Sequence, residues 1–354
     1  MVFRASSAFV YVSILVLLAC AAAKGSEYQV TNLGNFEPVA LNDYGQVAGN
    51  ILIDSSGTTH ACLWSNGVVT DLGTLGTDSF AQDINNSGEV VGDSGLPGDG
   101  TITHAFIYAG GKMSDLDTWG SISSSASGIN NLGQIVGFSS LLPGAPNRPI
   151  LFENGTMTVI SGLDGISRVI AKINDQGQIV GNYASPSGNS HAFIYGNGTL
   201  TDLGTLGGSF SLAEAVNNRG QAVGYSLDQN GNTHAFIYSG GTMTDINGQN
   251  NGTSNAYGIN DAGQVVGNND TVGPFLYANG TLSSLNSLLD NPPGFVQLNS
   301  AIDINSSGQI LAGGTLNGLG QSFLLTPVPE PSSLVLLGIG ACGVSWLLRR
   351  RRIA

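Results

Sequence analysis

Ile129-Asn130-Asn131-Leu132-Gly133-Gln134-Ile135-Val136-Gly137 is one of seven copies of a phrase whose other copies are anchored at Asn42, Asn85, Asn174, Asn217, Asn260 and Asn305. Successive copies lie 43 to 45 residues apart. A period of that length marks a repeat architecture, in which each copy is one supersecondary unit that buries its apolar face on its neighbours. Such a pattern specifies a scaffold strongly and says little about what the scaffold holds.

The residues around the phrase divide each repeat into strands. One strand reads His-Ala-Phe-Ile-Tyr at 104–108, 191–195 and 234–238, with variants at 60–64, 148–152, 273–277 and 321–325. Its alternation sets Phe106 and Tyr108 on one face and Ala105 and Ile107 on the other. A pair such as Asn66-Gly67, Gly110-Gly111 or Asn197-Gly198 follows, and these residues tolerate the positive φ of a type I′ hairpin. The next strand, Thr201-Asp202-Leu203-Gly204 in one repeat, must therefore fold back antiparallel. A loop such as Gly207-Gly208-Ser209 leads to a third strand ending at Ile-Asn, and Asn-x-x-Gly turns the chain into a fourth, Gln-Val-Val-Gly.

Four short antiparallel strands per repeat match one blade of a β-propeller, whereas the coils of a parallel β-helix are much shorter. The chain enters the repeat at Tyr28-Gln29-Val30-Thr31-Asn32-Leu33-Gly34 and leaves after a lone strand, Gln321 to Leu325. Pairing these orphans would complete one shared blade and leave no open edge. The expected fold is therefore all-β: a seven-bladed β-propeller of four-stranded antiparallel blades over 24–327, preceded by a signal peptide and followed by one transmembrane helix.

The ends differ from the middle. Residues 1–23 carry Arg4, an apolar run from Phe9 to Cys20, and Ala21-Ala22-Ala23, the layout of a secretory signal peptide cleaved near Ala23. A rival reading acylates Cys20 as a lipoprotein anchor. At the other end, Val328-Pro329-Glu330-Pro331 precedes an apolar run, Leu334 to Leu348, and the cluster Arg349-Arg350-Arg351-Arg352. As a helix this run reaches only about 22 Å of the roughly 30 Å of bilayer hydrocarbon, so snorkelling arginines or local thinning would complete the span. The arginines belong on the cytoplasmic side, which places the repeats outside.

Segment 328–354 closely resembles the PEP-CTERM sorting signal of Gram-negative bacteria, also labelled an ice-binding protein C-terminal domain. That label is no evidence of ice binding. The resemblance implies recognition at Pro329-Glu330-Pro331 by a membrane-embedded protease of the exosortase type, then transfer to the cell envelope or extracellular matrix. The recurring His-Ala-Phe, Asp-Leu-Gly and Ile-Asn-x-x-Gly-Gln-Val-Val-Gly motifs over 28–325 also resemble the HAF family of extracellular repeats. That family carries no established catalytic residues, so the resemblance transfers none.

Between the two ends, with Lys24 set aside at the cleavage point, five cations, Lys112, Arg148, Arg168, Lys172 and Arg219, face 23 carboxylates, a net charge of −18. Such a surface repels nucleic acid and anionic lipid and leaves calcium binding open. Cys62 is the single cysteine left, in the place that Phe106, Phe193 and Phe236 fill elsewhere, so it reads as a buried apolar substitute. His60, His104, His191 and His234 share one phase of the repeat, as do Asp71, Asp115, Asp202 and Asp245. Equivalent positions on stacked sheets lie about 10 Å apart, too far for one metal ion, so the histidines read as framework.

Asn-Gly-Thr at 154, 197, 251 and 279 matches the glycosylation pattern, although hairpin turns explain most of these copies. No P-loop, dinucleotide fingerprint, HExxH or nucleophile elbow is present. The sequence points to a non-catalytic extracellular protein that binds matrix polysaccharide or protein, with no catalytic or metal residues assigned. A carbohydrate-active propeller enzyme and a structural surface-layer component are the alternatives. A unique cluster of acidic, Tyr or His residues would favour the enzyme, and a merely periodic face would favour binding.

Overall fold

A computed structural model describes residues 28–328 except 56, 99–101, 117–122, 141–147, 161–162, 164–168, 186–187 and 249–251. The expected signal peptide, the Pro329-Glu330-Pro331 motif, the C-terminal span and its arginines lie outside the described residues. Among the described residues, no helix is long and apolar enough to cross a membrane.

The described residues are all-β, with one short 3-10 turn among them at Leu285–Leu288. Glu37–Leu41, Val47–Leu52, Thr59–Ser65 and Val68–Asp71 form a four-stranded antiparallel sheet in that order. The same order recurs over 79–115, 123–159 and 254–284. The sets at 169–204 and 207–245 repeat it again, joined into one eight-stranded sheet by a parallel bridge between Ser190 and Phe210. In the last sheet Val296–Ile304, Ile310–Leu316 and Leu319–Pro327 take Tyr28–Gly34 as their fourth strand, with Tyr28 opposite Pro327 and Asn32 opposite Phe323.

The turns follow their sequence chemistry. Asn66 and Gly67 have φ of 50° and 87°, Gly110 and Gly111 59° and 83°, Asn197 and Gly198 52° and 77°, as a type I′ hairpin requires. One segment differs from expectation. Gly207-Gly208-Ser209 is the start of a ten-residue strand, Gly207–Val216, rather than a loop. Without side chains these glycines lie directly against the neighbouring strand, where a Cβ on Gly208 would meet Leu227 and the Asp228 carbonyl.

The core lies between sheets. Phe106 packs with Ala40, Ala48 and Ala61 of the preceding sheet, and Phe275 with Val223 and Ala235. Phe106, Phe193, Phe236, Phe275 and Phe323 are all less than 2 % exposed. Cys62 is likewise buried, and burial, then the nearby Asp71 charge, pushes its thiol up to about 12, so it is an inert filler of the same site. Each of these side chains except Phe323 stands opposite the glycine that ends a Val-Val-Gly or its variant. That position is closed to any Cβ, since one on Gly137 would run into the Ser125 carbonyl and one on Gly224 into that of Leu212.

Two repeats carry proline in the strand that follows, Pro149 and Pro274, both paired inside their sheets. The equivalent residues Ala61, Ala105, Ala192 and Ala235 donate their N–H outward to Ser79, Ser124, Ser211 and Ser254 hydroxyls, not to the ladder. Proline there removes a bond that a side chain had supplied and leaves the sheet intact.

Candidate functional site

The strand that leads into each asparagine turn carries a β-bulge at the same place, and each bulge frees one extra residue: Val39, Gln82, Ser127, Ala171, Glu214, Tyr257 and Ile302. All seven line one cavity of about 640 Å³. Bulges re-aim side chains in this way, and here they turn seven strands toward a common channel. The scaffold around them repeats, but the seven side chains do not.

Beside this ring the wall carries charge. Lys172 Nζ sits 2.5 Å from Asp83 Oδ1 and donates to the Gln82 carbonyl at 3.3 Å. Asp83 Oδ2 accepts the Ile129 N–H at 2.9 Å. Asp303 accepts the Leu41 N–H on Oδ2 at 3.0 Å and the Ile304 N–H on Oδ1 at 2.8 Å. Burial pushes the Asp303 carboxyl up to about 6, with Asp83 adding to the rise and Lys172 opposing it. Glu214 is also raised by burial against the pull of Lys172, and its carboxyl takes no hydrogen bond among the described residues. Lys172 is thus one cation facing three carboxylates.

Asp303 should leave a stability signature. A carboxyl whose folded pKa lies above its unfolded value disfavours the folded state as it ionises, so its contribution falls as pH rises from about 4 to about 6. Asp303→Asn is expected to remove that fall. Urea unfolding of both proteins at steps from pH 4 to 7 should show the variant gaining on the native chain by on the order of 2 kcal/mol across the window. A pH-independent difference would reject the assignment.

One end of the channel meets the asparagine turns. Asn42 Oδ1 accepts the N–H groups of Tyr44 and Gln46, and its Nδ2 donates to Gln46 Oε1 at 2.7 Å and to the Asn85 carbonyl at 3.0 Å. Asn85 donates likewise to Asn130, Asn130 to Asn174, Asn174 to Asn217, Asn217 to Asn260, Asn260 to Asn305, and Asn305 back to Asn42 at 3.0 Å. Outside this closed ring the next residues repeat the link, Asn131 N–H to Asp175 Oδ1 at 2.8 Å for example. Ile129, Ile173, Val216 and Ile259 line both the channel and a smaller cavity of about 180 Å³ at the ring, an aliphatic layer between the two.

The histidines and aspartates of the repeat meet each other, away from the channel. His60, His104, His191 and His234 place Nδ1 at 2.8 to 2.9 Å from Asp71, Asp115, Asp202 and Asp245, each pair within one repeat. The same carboxylates accept the N–H of the following turn at Gly73, Gly204 and Asn247. Burial works to raise Asp202, but His191, the Gly204 N–H and the Tyr183 hydroxyl outweigh it and hold the carboxyl below its ordinary value. Among the described residues, no group of three His, Cys, Asp or Glu side chains is placed to hold a metal ion. The sequence reading did not find the channel cluster. Its signal was present in the two positions before Ile-Asn, where Val39, Gln82, Ser127, Ala171, Glu214, Tyr257 and Ile302 all differ and the next residue supplies Asp83, Lys172 and Asp303.

Comparison with known proteins then supplies two facts. Residues 327–352 match the PEP-CTERM protein-sorting motif. The motif marks the protein for export to the envelope or the extracellular space, with processing by exosortase, a membrane protease. The match covers the sorting segment alone. The described fold resembles the β-propeller domain of the Trilobed protease from Pyrococcus furiosus, with a TM-score of 0.55 and 10% identity over 86% of this chain and 98% of that one. It also resembles a puromycin-hydrolyzing peptidase of Mycobacterium tuberculosis, with a TM-score of 0.57 and 11% identity over 83% of this chain and 51% of that one. An acylaminoacyl peptidase of Pyrococcus horikoshii gives a TM-score of 0.51 at 10% identity, over 86% and 54%. The chain matches about half the length of these two peptidases. At such identities the likeness establishes the β-propeller fold and transfers no activity. No curated protein sequence matches the chain.

Proposed function

We propose that this is an exported, non-catalytic seven-bladed propeller that binds a neutral or cationic saccharide of the extracellular matrix in its channel. The blade number is supported by the seven-member asparagine ring that returns to its start and by the N-terminal strand completing the last sheet. The repeats keep their likeness to HAF-type proteins as part of this reading.

The observation that carries the ligand reading is the ring of seven different bulge residues in one cavity of about 640 Å³, a size suited to a small ligand. Glu214 offers a carboxyl and Tyr257 a phenol, an acceptor and a donor of the kind sugar hydroxyls need. Three carboxylates against one lysine disfavour an anionic ligand.

A second reading has its own support. The cluster is unique rather than periodic, and two carboxyls in it are raised, a pattern expected of a carbohydrate-active enzyme. Against it, both oxygens of Asp303 are held by backbone N–H groups and Asp83 is held by Ile129 and Lys172. That leaves one free carboxyl, where glycoside hydrolysis by retention or inversion uses two.

The test is retention and sugar release on a polysaccharide array, with and without calcium, for the native chain, Glu214→Gln and Tyr257→Phe. Retention without release, weakened about tenfold or more in both variants, is the expected result, a loss of about 1.4 kcal/mol. Released fragments would move the protein to the enzyme reading, and no retention would favour a structural component.

A further inference from the structure

The first and last described strands pair with Tyr28 opposite Pro327, so the chain enters and leaves its fold at one end. That end is the one that carries the asparagine ring. Gln309, in the seventh asparagine turn, donates to Thr326 Oγ1 at 3.3 Å, and a Cβ on neighbouring Gly308 would lie 3.4 Å from the Pro327 ring. The sorting match begins at residue 327, the last of its strand. An extended residue spans at most about 3.6 Å, so the two residues from Pro327 to the start of the Pro-Glu-Pro motif give the chain a reach of at most about 7 Å. A protease that takes Pro329-Glu330-Pro331 into its active site has no spacer with which to stand away from the propeller.

We propose that the asparagine-ring face is the docking surface for the membrane-embedded sorting protease, so that the bulge-ring channel faces away from the membrane while the protein is processed. The face carries the features of a contact surface. Tyr44 is 76 % exposed and Leu132 70 %, both at the third position of an asparagine turn. Their counterparts are Ser87, Gln176, Arg219, Ala262 and Ser307, so these two are the large apolar side chains of that ring of turns. Exposed aromatic and aliphatic anchors of this kind, set in a polar rim, are typical of docking surfaces. The channel lies on the far side of the aliphatic layer from this face, so docking leaves it open. The proposal rests on the sorting segment and not on the identity of the channel ligand.

The experiment is a pulse-chase of the full chain in cells containing the sorting protease, following loss of the C-terminal segment by mass. Tyr44→Asp/Leu132→Asp is compared with Leu52→Asp/Leu319→Asp, which alters two side chains 73 % and 71 % exposed at the opposite end. The asparagine-face variant is expected to be processed about fivefold or more slowly, a change of about 1 kcal/mol, and the opposite-face variant at the native rate. An eight-residue Gly-Ser spacer between Pro327 and Val328 should restore the slowed variant. Thermal unfolding of both variants excludes misfolding as the cause of any delay. Equal rates for the two variants, or a slower opposite-face variant, overturn the docking surface. A native chain that is never processed overturns the sorting reading itself, and the docking surface with it.

Discussion

Deleting Tyr28–Gly34 is expected to abolish the cooperative unfolding transition or to leave a chain that self-associates, although the strand is only seven residues long. It pairs with Leu319–Pro327 and supplies two buried anchors, Tyr28 at 3 % exposure and Leu33 at 4 %. Leu33 packs with Phe36, Trp64 and Leu324, so its loss opens the seam between the last sheet and the first. Each such side chain contributes about 1.5 to 3 kcal/mol of burial, and the two together approach the whole stability of a marginal domain. The deletion also uncovers the edge of Leu319–Pro327, a row of unpaired backbone groups ready to add a strand from another molecule. Urea unfolding and sedimentation of the deleted chain test this. Leu33→Ala provides the graded control, with an expected loss of about 2 to 5 kcal/mol. An unchanged midpoint in a monomeric deleted chain would show that the strand does not close the fold.

The parts of this fold legible in the sequence are those fixed by local chemistry. Asn-Gly and Gly-Gly pairs demanded positive φ and obtained it, and His-Ala-Phe-Ile-Tyr alternation put Phe106 between sheets. The orphan strand at 28–34 betrayed its partner by its phase. The channel was hidden for a physical reason. Whether Glu214 or Tyr257 faces solvent, core or channel depends on a one-residue bulge, and a bulge changes backbone register without a residue type of its own. The His–Asp pairs were half legible: both residues recur eleven apart, as at His191 and Asp202, but a pairing across a hairpin needs the register, and only the turn between them hints at it. The Gly207-Gly208 strand was misread because glycine marks close approach as readily as it marks a loop, and here Leu227 and Asp228 make the approach.

The asparagine ring gives the second large effect. Asn174 is 5 % exposed and meets all its hydrogen-bonding capacity: Oδ1 accepts Gln176 N–H at 3.0 Å and Gln178 N–H at 2.8 Å, while Nδ2 donates to Gln178 Oε1 and to the Asn217 carbonyl, both at 2.8 Å. Asn174→Ala removes four hydrogen bonds at once: the Asn217 carbonyl keeps the Gly220 N–H at 3.0 Å, but the N–H groups of Gln176 and Gln178 and the Gln178 amide oxygen lose the partner Asn174 supplies, and a loss of about 3 kcal/mol is expected. Asn174→Asp is the sharper probe, because it keeps the shape and both accepted bonds and changes only the donor. At neutral pH its carboxylate would face two acceptor oxygens, and the destabilisation should equal or exceed that of alanine. Protonation restores one donor, so the pKa of the introduced carboxyl must be raised in the folded state. The stability of this variant should therefore recover as pH falls toward the ordinary carboxylate range and be lost as pH rises. Gln176→Ala on the same turn keeps every bond of the ring and is expected to stay within about 0.5 kcal/mol of the native chain. If urea unfolding shows the alanine and aspartate variants both within about 1 kcal/mol of that control, the ring is an ornament of closure rather than its cause, and the repeated Ile-Asn phrase must owe its seven copies to the turn alone.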